Sequence, residues 1–259
     1  MNFLYEIDAA VLAVVFFVLL VLAVEAGRKA GRRVEALVWE RVSGPFGTFA
    51  GTVLGLLGLL LAFSFGMASA RYDSRKVVLL KEVNAIGTAW LRADFLEPAA
   101  QQQMKTLMRA YVDQRVAGDN ARHDPAAEAR AFEQAAALQL QMWKLAAAND
   151  AYLEPKAIRL SMLASALNDM IDVSADRKEA RQNRVPELVL WMLLVTAALS
   201  GALGGYAFGA AGHRSLLATL GFAVMVSMVV FTILDLDRPR RGLIQVDYSG
   251  MTELRQSLR

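Results

Sequence analysis

The stretch FGTFAGTVLGLLGLLLAFSFGMASA, Phe46 to Ala70, decides the fold. It carries no charged side chain, and Gly47, Gly51, Gly55 and Gly66 fall along one stripe of a helix wound at about 3.6 residues per turn. In hydrocarbon the main-chain amides must be satisfied within the segment itself, so an apolar run of this length reads as a membrane-spanning helix. Glycines spaced by four remove side chains from one face and let a second helix approach closely. Working outward, Ala9 to Val24, Leu188 to Gly212 and Ser215 to Leu234 are three more uncharged runs. Roughly 20 residues cross the hydrocarbon core, so the first run needs Phe3 to Ile7 to complete its span. Glu6 and Asp8 precede it and no small-residue cleavage pattern follows at Val24 to Arg28, which reads as a retained helix rather than a secretory signal. The fold class is therefore all-α: four transmembrane helices, with a helical extramembrane bundle inserted between the second and third.

Composition agrees. Of 259 residues 56% are hydrophobic and 20% charged, with a mean hydropathy of +0.34, whereas a soluble domain holds about 45–50% apolar residues. Cysteine is absent, which excludes disulfides, thiolate metal sites and cysteine nucleophiles. His123 and His213 are the only imidazoles, too few within one protomer for a zinc centre or a histidine-based triad. No phosphate-cradling glycine loop and no nucleophile elbow appear, so neither an enzyme nor a cofactor is expected. The net charge of +3 and pI near 9.3 suggest nucleic acid at first sight. Lys and Arg, however, cluster at the ends of the apolar runs, where lipid headgroups and not nucleic acid are the partner.

Punctuation divides the chain into residues 1–70, a helix pair with a basic linker; 71–185, the bundle; 186–237, the second helix pair; and 238–259, a C-terminal tail. The linker, Glu25 to Pro45, repeats Val34, Leu37, Val38 and Val42 at helical spacing beside Arg33, Glu40 and Arg41, the pattern of a segment lying along the membrane surface. Within the bundle, Pro98, Gly118-Asp119-Asn120, Asp124-Pro125, Asn149-Asp150 and Glu154-Pro155 start or break helices. The expected inner faces are Leu80, Val83, Gly87 and Trp90; Met104, Leu107, Met108 and Tyr111; Phe132, Ala135, Leu138, Met142 and Leu145; and Leu163, Leu167, Met170 and Ser174.

Orientation rests on competing counts. The first helix alone, followed by Arg28, Lys29, Arg32 and Arg33, puts the linker in the cytoplasm. Over all helix ends the linker side holds six basic residues, those four with Arg41 and Arg214. The bundle side holds eleven: Arg71, Arg75, Lys76, Lys81, Arg177, Lys178, Arg181, Arg184, Arg238, Arg240 and Arg241. The fuller count favours a bundle and C-terminus in the cytoplasm.

Several side-chain patterns remain. Gly201, Gly205 and Gly209 repeat the four-residue ladder, for packing within a protomer or between protomers. Phe63 and Met67, one turn apart, are packed against neighbours, lipid-facing, or the neck of a pore. Asp169, Asp172, Asp176 and Glu179 share a helical face, as ion-pair partners of Arg71, Arg75 or Arg92, as a solvated face, or as oxygen ligands for calcium. Asp235 and Asp237 close the fourth helix, where a carboxylate opposes the backbone dipole by a few tenths to about 1 kcal/mol, so compensation from the adjacent arginines or from backbone amides is required.

The segments Gly55 to Phe65, Arg71-Tyr72-Asp73-Ser74-Arg75, Glu82-Val83-Asn84-Ala85-Ile86-Gly87, Ala166-Leu167-Asn168-Asp169-Met170-Ile171-Asp172 and Asp235-Leu236-Asp237-Arg238-Pro239-Arg240-Arg241-Gly242 together resemble the bacterial bestrophin-like domain family over nearly the whole chain. That resemblance marks Arg71, Arg75, Glu82, Asn84, Asn168, Asp172, Asp235, Asp237, Arg238 and Arg241 as its polar positions. The layout is also similar to that of true bestrophins, which implies a pentamer, a pore lined by the second helix with a hydrophobic neck, and anions as the permeant ions. No ionisable group lies at the centre of any of the four runs, which disfavours coupled transport. The leading reading is an oligomeric passive ion channel; a non-conducting sensor or scaffold whose bundle binds a partner, and an exporter of lipid or small molecules, are the alternatives.

Overall fold

The computed structural model describes residues 7–121, 124–149, 156–238 and 242–259; Phe3 to Glu6, His123, Asp150, Glu154, Pro155 and Pro239 to Arg241 lie outside them. The described secondary structure is helical throughout: α1 (Ala9–Gly31), α2 (Ala36–Arg92), a 3-10 turn (Ala93–Phe95), α3 (Pro98–Asn120), α4 (Pro125–Ala148), α5 (Lys156–Gln182), α6 (Glu187–Ala210), α7 (Leu216–Leu236) and α8 (Ser249–Ser257). No strand occurs among the described residues. Four of the helical stretches are long and apolar enough to cross a membrane, so the chain is an all-α membrane protein.

The starts are locally encoded. Asp8 Oδ1 accepts from Ala10 N at 2.8 Å, Asp124 Oδ1 from Ala127 N at 2.9 Å and Ser215 Oγ from Ala218 N at 3.2 Å, while Pro98 and Pro125 occupy first turns where their missing N–H costs nothing. Gly212, at φ 70°, makes the left-handed turn between α6 and α7 that a side chain would strain.

Two boundaries differ from the sequence reading. Helix α1 runs past Val24 to Gly31; the expected completion by Phe3 to Glu6 lies outside the described residues. Its added turn carries its own ion pair, with Arg28 Nη2 at 2.5 Å from Glu25 Oε1. The linker shrinks to Arg32–Glu35, because residues 36–45 form the first turns of α2 despite Pro45 inside the helix. Trp39 and Phe46, on one face of those turns, pack edge-on against each other at 5.5 Å. Both also meet the Tyr206 ring of α6, at 6.1 and 5.1 Å, which holds the segment to its neighbour.

The chain divides into two compact units. The first comprises Met1–Arg71 and Arg184–Ile244. In it α1 packs chiefly on α6 and next on α7, burying Leu20, Val24, Leu193, Ala197 and Ala223. The second comprises Tyr72–Asn183 and Gln245–Arg259, so the last residues of the chain pack with the insertion rather than standing apart as a tail. Its core joins Leu79, Ile86 and Ala89 of α2 to Met104, Met108 and Tyr111 of α3, Ala135 and Met142 of α4, and Leu163, Leu167 and Met170 of α5. Val246, Met251 and Leu258 complete it. The expected faces of α3, α4 and α5 contribute to this core. On α2 the register differs: Leu80 is 61% exposed, and the inner positions are Arg75, Leu79, Glu82, Ile86 and Ala89. Val83 and Trp90 of the expected face pack against the core, but two charged residues occupy the stripe beside them, which an apolar pattern alone does not register.

Candidate functional site

Within each unit helix α2 has a buried stripe, Val53, Leu57, Ser64 and Ala68 in the first and Arg75, Leu79, Glu82, Ile86 and Ala89 in the second. The spacings within each stripe, three, four or seven residues, are those of one helical face. The membrane-length part shows a different opposite face. A Cβ placed on Gly47, Gly51, Gly55 or Gly66 meets nothing within 4 Å, Phe63 is 62% exposed, and Met67 is half-buried.

The second ladder is packed, and its partner is not the first. A Cβ on Gly205 would lie 2.0 Å from the Val24 carbonyl oxygen, one on Gly209 2.1 Å from that of Arg28, and one on Gly201 3.1 Å from Val24 Cγ2. The contact is reciprocal. Gly27 and Gly31 of α1 press on the carbonyls of Ala202 and Tyr206 at 1.9 and 2.1 Å by the same measure. Two glycine-lined helices are thus in backbone contact, the arrangement lipid-embedded helices use where no hydrophobic drive exists. Gly27 and Gly31, four residues apart, are the partners that the sequence reading missed, because they lie beyond the uncharged run.

In the second unit a charged network is fully enclosed. Glu82 is 0% exposed. Arg115 Nε stands 2.6 Å from its Oε1, in ion-pair contact though off the line of an N–H···O bond, and Tyr111 donates to the same oxygen at 3.2 Å. Arg177 Nη1 donates to Oε2, and its Nη2 to Asp119 Oδ1 at 2.5 Å. Arg181 adds a second bond to Asp119 at 2.5 Å, and Gln139 donates to the Tyr111 hydroxyl at 3.3 Å. Aromatic faces line the guanidiniums: Phe132 lies 5.0 Å from both Arg115 and Arg181, and Tyr248 lies 5.5 Å from Arg177. Burial opposes the charge of Arg177, but Glu82 and Asp119 outweigh it and hold the guanidinium above its ordinary pKa. Burial, then the neighbouring Glu82 charge, push the Tyr111 hydroxyl well above 10.0 and keep it a donor. Charges this deep persist only when paired and hydrogen-bonded, so the network ties α2, α3, α4, α5 and the Tyr248 segment into one arrangement. Arg115-x3-Asp119, spaced for one face of α3, was the available signal.

The remaining polar positions are dispersed. Arg75 is buried and donates to the carbonyls of Ala180 at 3.1 Å and Asn183 at 2.9 Å, satisfying acceptors at the C-terminal end of α5. Arg71 donates back to Met67 O at 3.3 Å, and Arg92 donates to Met162 O at 2.7 Å. The acidic face of α5 is solvated: Asp169, Asp172, Asp176 and Glu179 are exposed, and Asp172 accepts from Asn168 at 3.1 Å. Asn84 is exposed. Among the described residues no group of three acidic or imidazole side chains is placed to hold a metal ion.

Asp235 and Asp237 receive main-chain amides. Asp235 takes Leu243 N at 2.8 Å and Ile244 N at 2.7 Å, closing the chain back on the end of α7. A Cβ on Gly242 would sit 2.5 Å from that carboxylate, which explains the glycine. Asp237 takes Val185 N at 2.8 Å, just ahead of α6, and so links the C-terminal end of one membrane-length helix to the approach of another. These amides answer the dipole conflict read from the sequence. Arg238 is buried beside them, and Arg241 lies outside the described residues.

The fold has solved counterparts. Three variants of a bacterial bestrophin homologue from Klebsiella pneumoniae superpose with TM-scores of 0.64, 0.65 and 0.66, at 14%, 13% and 13% identity. Each alignment covers 95% of this chain, and 97%, 98% and 97% of theirs. No curated protein sequence matches the chain. The Bestrophin-like domain matches residues 9–251, from the first membrane-length helix to the α8 segment. With that match over nearly its full length, and with the four long apolar helices and polar positions described above, the chain belongs to the Bestrophin-like domain family.

Proposed function

We propose that this chain is one protomer of an oligomeric, passive ion channel of the bacterial inner membrane, with copies of α2 surrounding the pore. The observation that carries the reading is the division of α2 into two faces. Its inner stripe is packed within the protomer, while a Cβ on Gly47, Gly51 or Gly55 meets nothing within 4 Å and Phe63 is 62% exposed. From Val42 to Ala70 the helix is uncharged, and an apolar constriction of this kind gates by losing its water rather than by charge. Phe63 and Met67 form the neck, and Gly47, Gly51 and Gly55 let neighbouring copies approach. Anion selectivity is supported by the basic residues at the helix ends and by the bestrophin relationship, which also makes five copies the expected ring. The balance of basic residues supports a bundle and C-terminus in the cytoplasm.

Reconstituted liposomes test this directly. Passive chloride flux is expected, rising in Phe63→Ala, with cross-linking in detergent giving a closed ring. Absence of flux from a correctly folded ring would overturn the channel reading in favour of a scaffold, and flux of cations alone would overturn its selectivity.

A further inference from the structure

Apart from the Glu82 network, the α8 segment meets α3 over a small open cleft of about 50 Å³ lined by Arg109, Val112, Asp113, Arg255, Leu258 and Arg259. Arg109 and Asp113 are one turn apart on α3, a pair at (i, i+4), while Arg255 lies in α8 and Arg259 follows just past its end. Two of the three guanidiniums are anchored through Nε alone: Arg109 Nε donates to Leu258 O at 2.7 Å, and Arg255 Nε donates to Asp113 Oδ1 at 2.5 Å. The Trp90 ring, 5.0 Å from Arg109, supports that guanidinium. Anchoring at Nε leaves the Nη hydrogens, which form the fork that grips an oxyanion with two parallel bonds. Three cations surround the cleft against one carboxylate, and that carboxylate is already engaged by Arg255.

We propose that this cleft binds a doubly charged phosphate group, bridging Arg109 of α3 to Arg255 and Arg259 and so holding the α8 segment against the bundle. The site is independent of whether the membrane helices conduct, and its test needs no flux. The phosphate group is either free, as inorganic phosphate or a soluble ester, or the headgroup of an anionic lipid.

Calorimetric titration of the full chain in detergent with inorganic phosphate, against chloride at equal ionic strength, should give saturable binding that chloride does not compete away. A second arm uses micelles doped with phosphatidic acid; saturable binding there and none with inorganic phosphate would support the site and assign it to lipid. Arg109→Gln and Arg259→Gln should each weaken binding by about tenfold, the loss of one bidentate contact. Arg259 is exposed, so its variant decides the matter even if Arg109→Gln loosens the α8 segment. Asp113→Asn should tighten binding by freeing Arg255, where a purely structural ion pair would show only lost stability. Bound phosphate should also slow hydrogen exchange over residues 249–258. No saturable binding in either arm, or binding unchanged in Arg259→Gln and Asp113→Asn, would overturn the proposal.

Discussion

Replacing Glu82 by Gln removes one charge from the enclosed network while keeping its shape. The consequences for its two arginines differ. Arg177 retains Asp119 at 2.5 Å, but the carboxylate facing Arg115 is that of Glu82, and Arg115 is only 4% exposed. The variant therefore leaves a buried guanidinium without its counter-charge, a loss of about 3–5 kcal/mol. At a few degrees per kcal/mol this is on the order of 10 °C in Tm. Arg115→Met, by contrast, leaves Glu82 paired with Arg177 and fills the space with an unbranched apolar chain, so it should be milder by about 2 kcal/mol or more. In the double variant Glu82→Gln/Arg115→Met the stranded charge is gone, and part of the loss should return. Denaturant unfolding of the purified protein, followed through the bundle tryptophans Trp90 and Trp143, measures all three. The reasoning fails if Glu82→Gln is no worse than Arg115→Met, or if the two losses simply add, because either result would mean that the guanidinium and carboxylate are not coupled.

Other outcomes follow from the same geometry. Gly205→Val should separate α1 from α6 and cost at least about 3 kcal/mol, whereas Gly51→Val should leave protomer folding intact and affect only assembly; thermal unfolding and cross-linking separate the two. Asp235→Ala should cost about 1–3 kcal/mol by stranding the Leu243 and Ile244 amides, read as faster hydrogen exchange at both. Arg75→Met should fray the last turn of α5, with exchange rising over residues 177–183 and a loss of about 1.5–3 kcal/mol. Hydrogen bonds from the Ser249 amide and hydroxyl hold the Asp247 carboxyl below its usual 3.8. A depressed carboxyl stabilises fully above 3.8 and loses that contribution as pH falls through the lower folded value. Exchange at the start of α8 should therefore quicken below pH 3.8, and Asp247→Asn should abolish that step.

The membrane-length helices were legible because their cause is local: an uncharged run must satisfy its own amides in lipid, whatever its neighbours do. The same holds for the starts at Pro98 and Asp124-Pro125, where one side chain or one ring decides. The inner faces of α3, α4 and α5 were legible too, since Met108, Met142 and Leu167 repeat at helical spacing. On helix α2 that logic found Val83 and Trp90 but not the buried stripe beside them. Arg75 and Glu82 sit inward, and whether a charge is buried depends on the partner supplied from elsewhere in the chain, here Arg115 at 2.6 Å and the carbonyls of Ala180 and Asn183. Likewise, two glycine ladders of equal spacing behave oppositely, one in backbone contact with Gly27 and Gly31 and one facing away from the protomer. Four-residue spacing determines that a helix can be approached closely. Which helix does the approaching is a matter of topology, and only the assembled tertiary structure decides it.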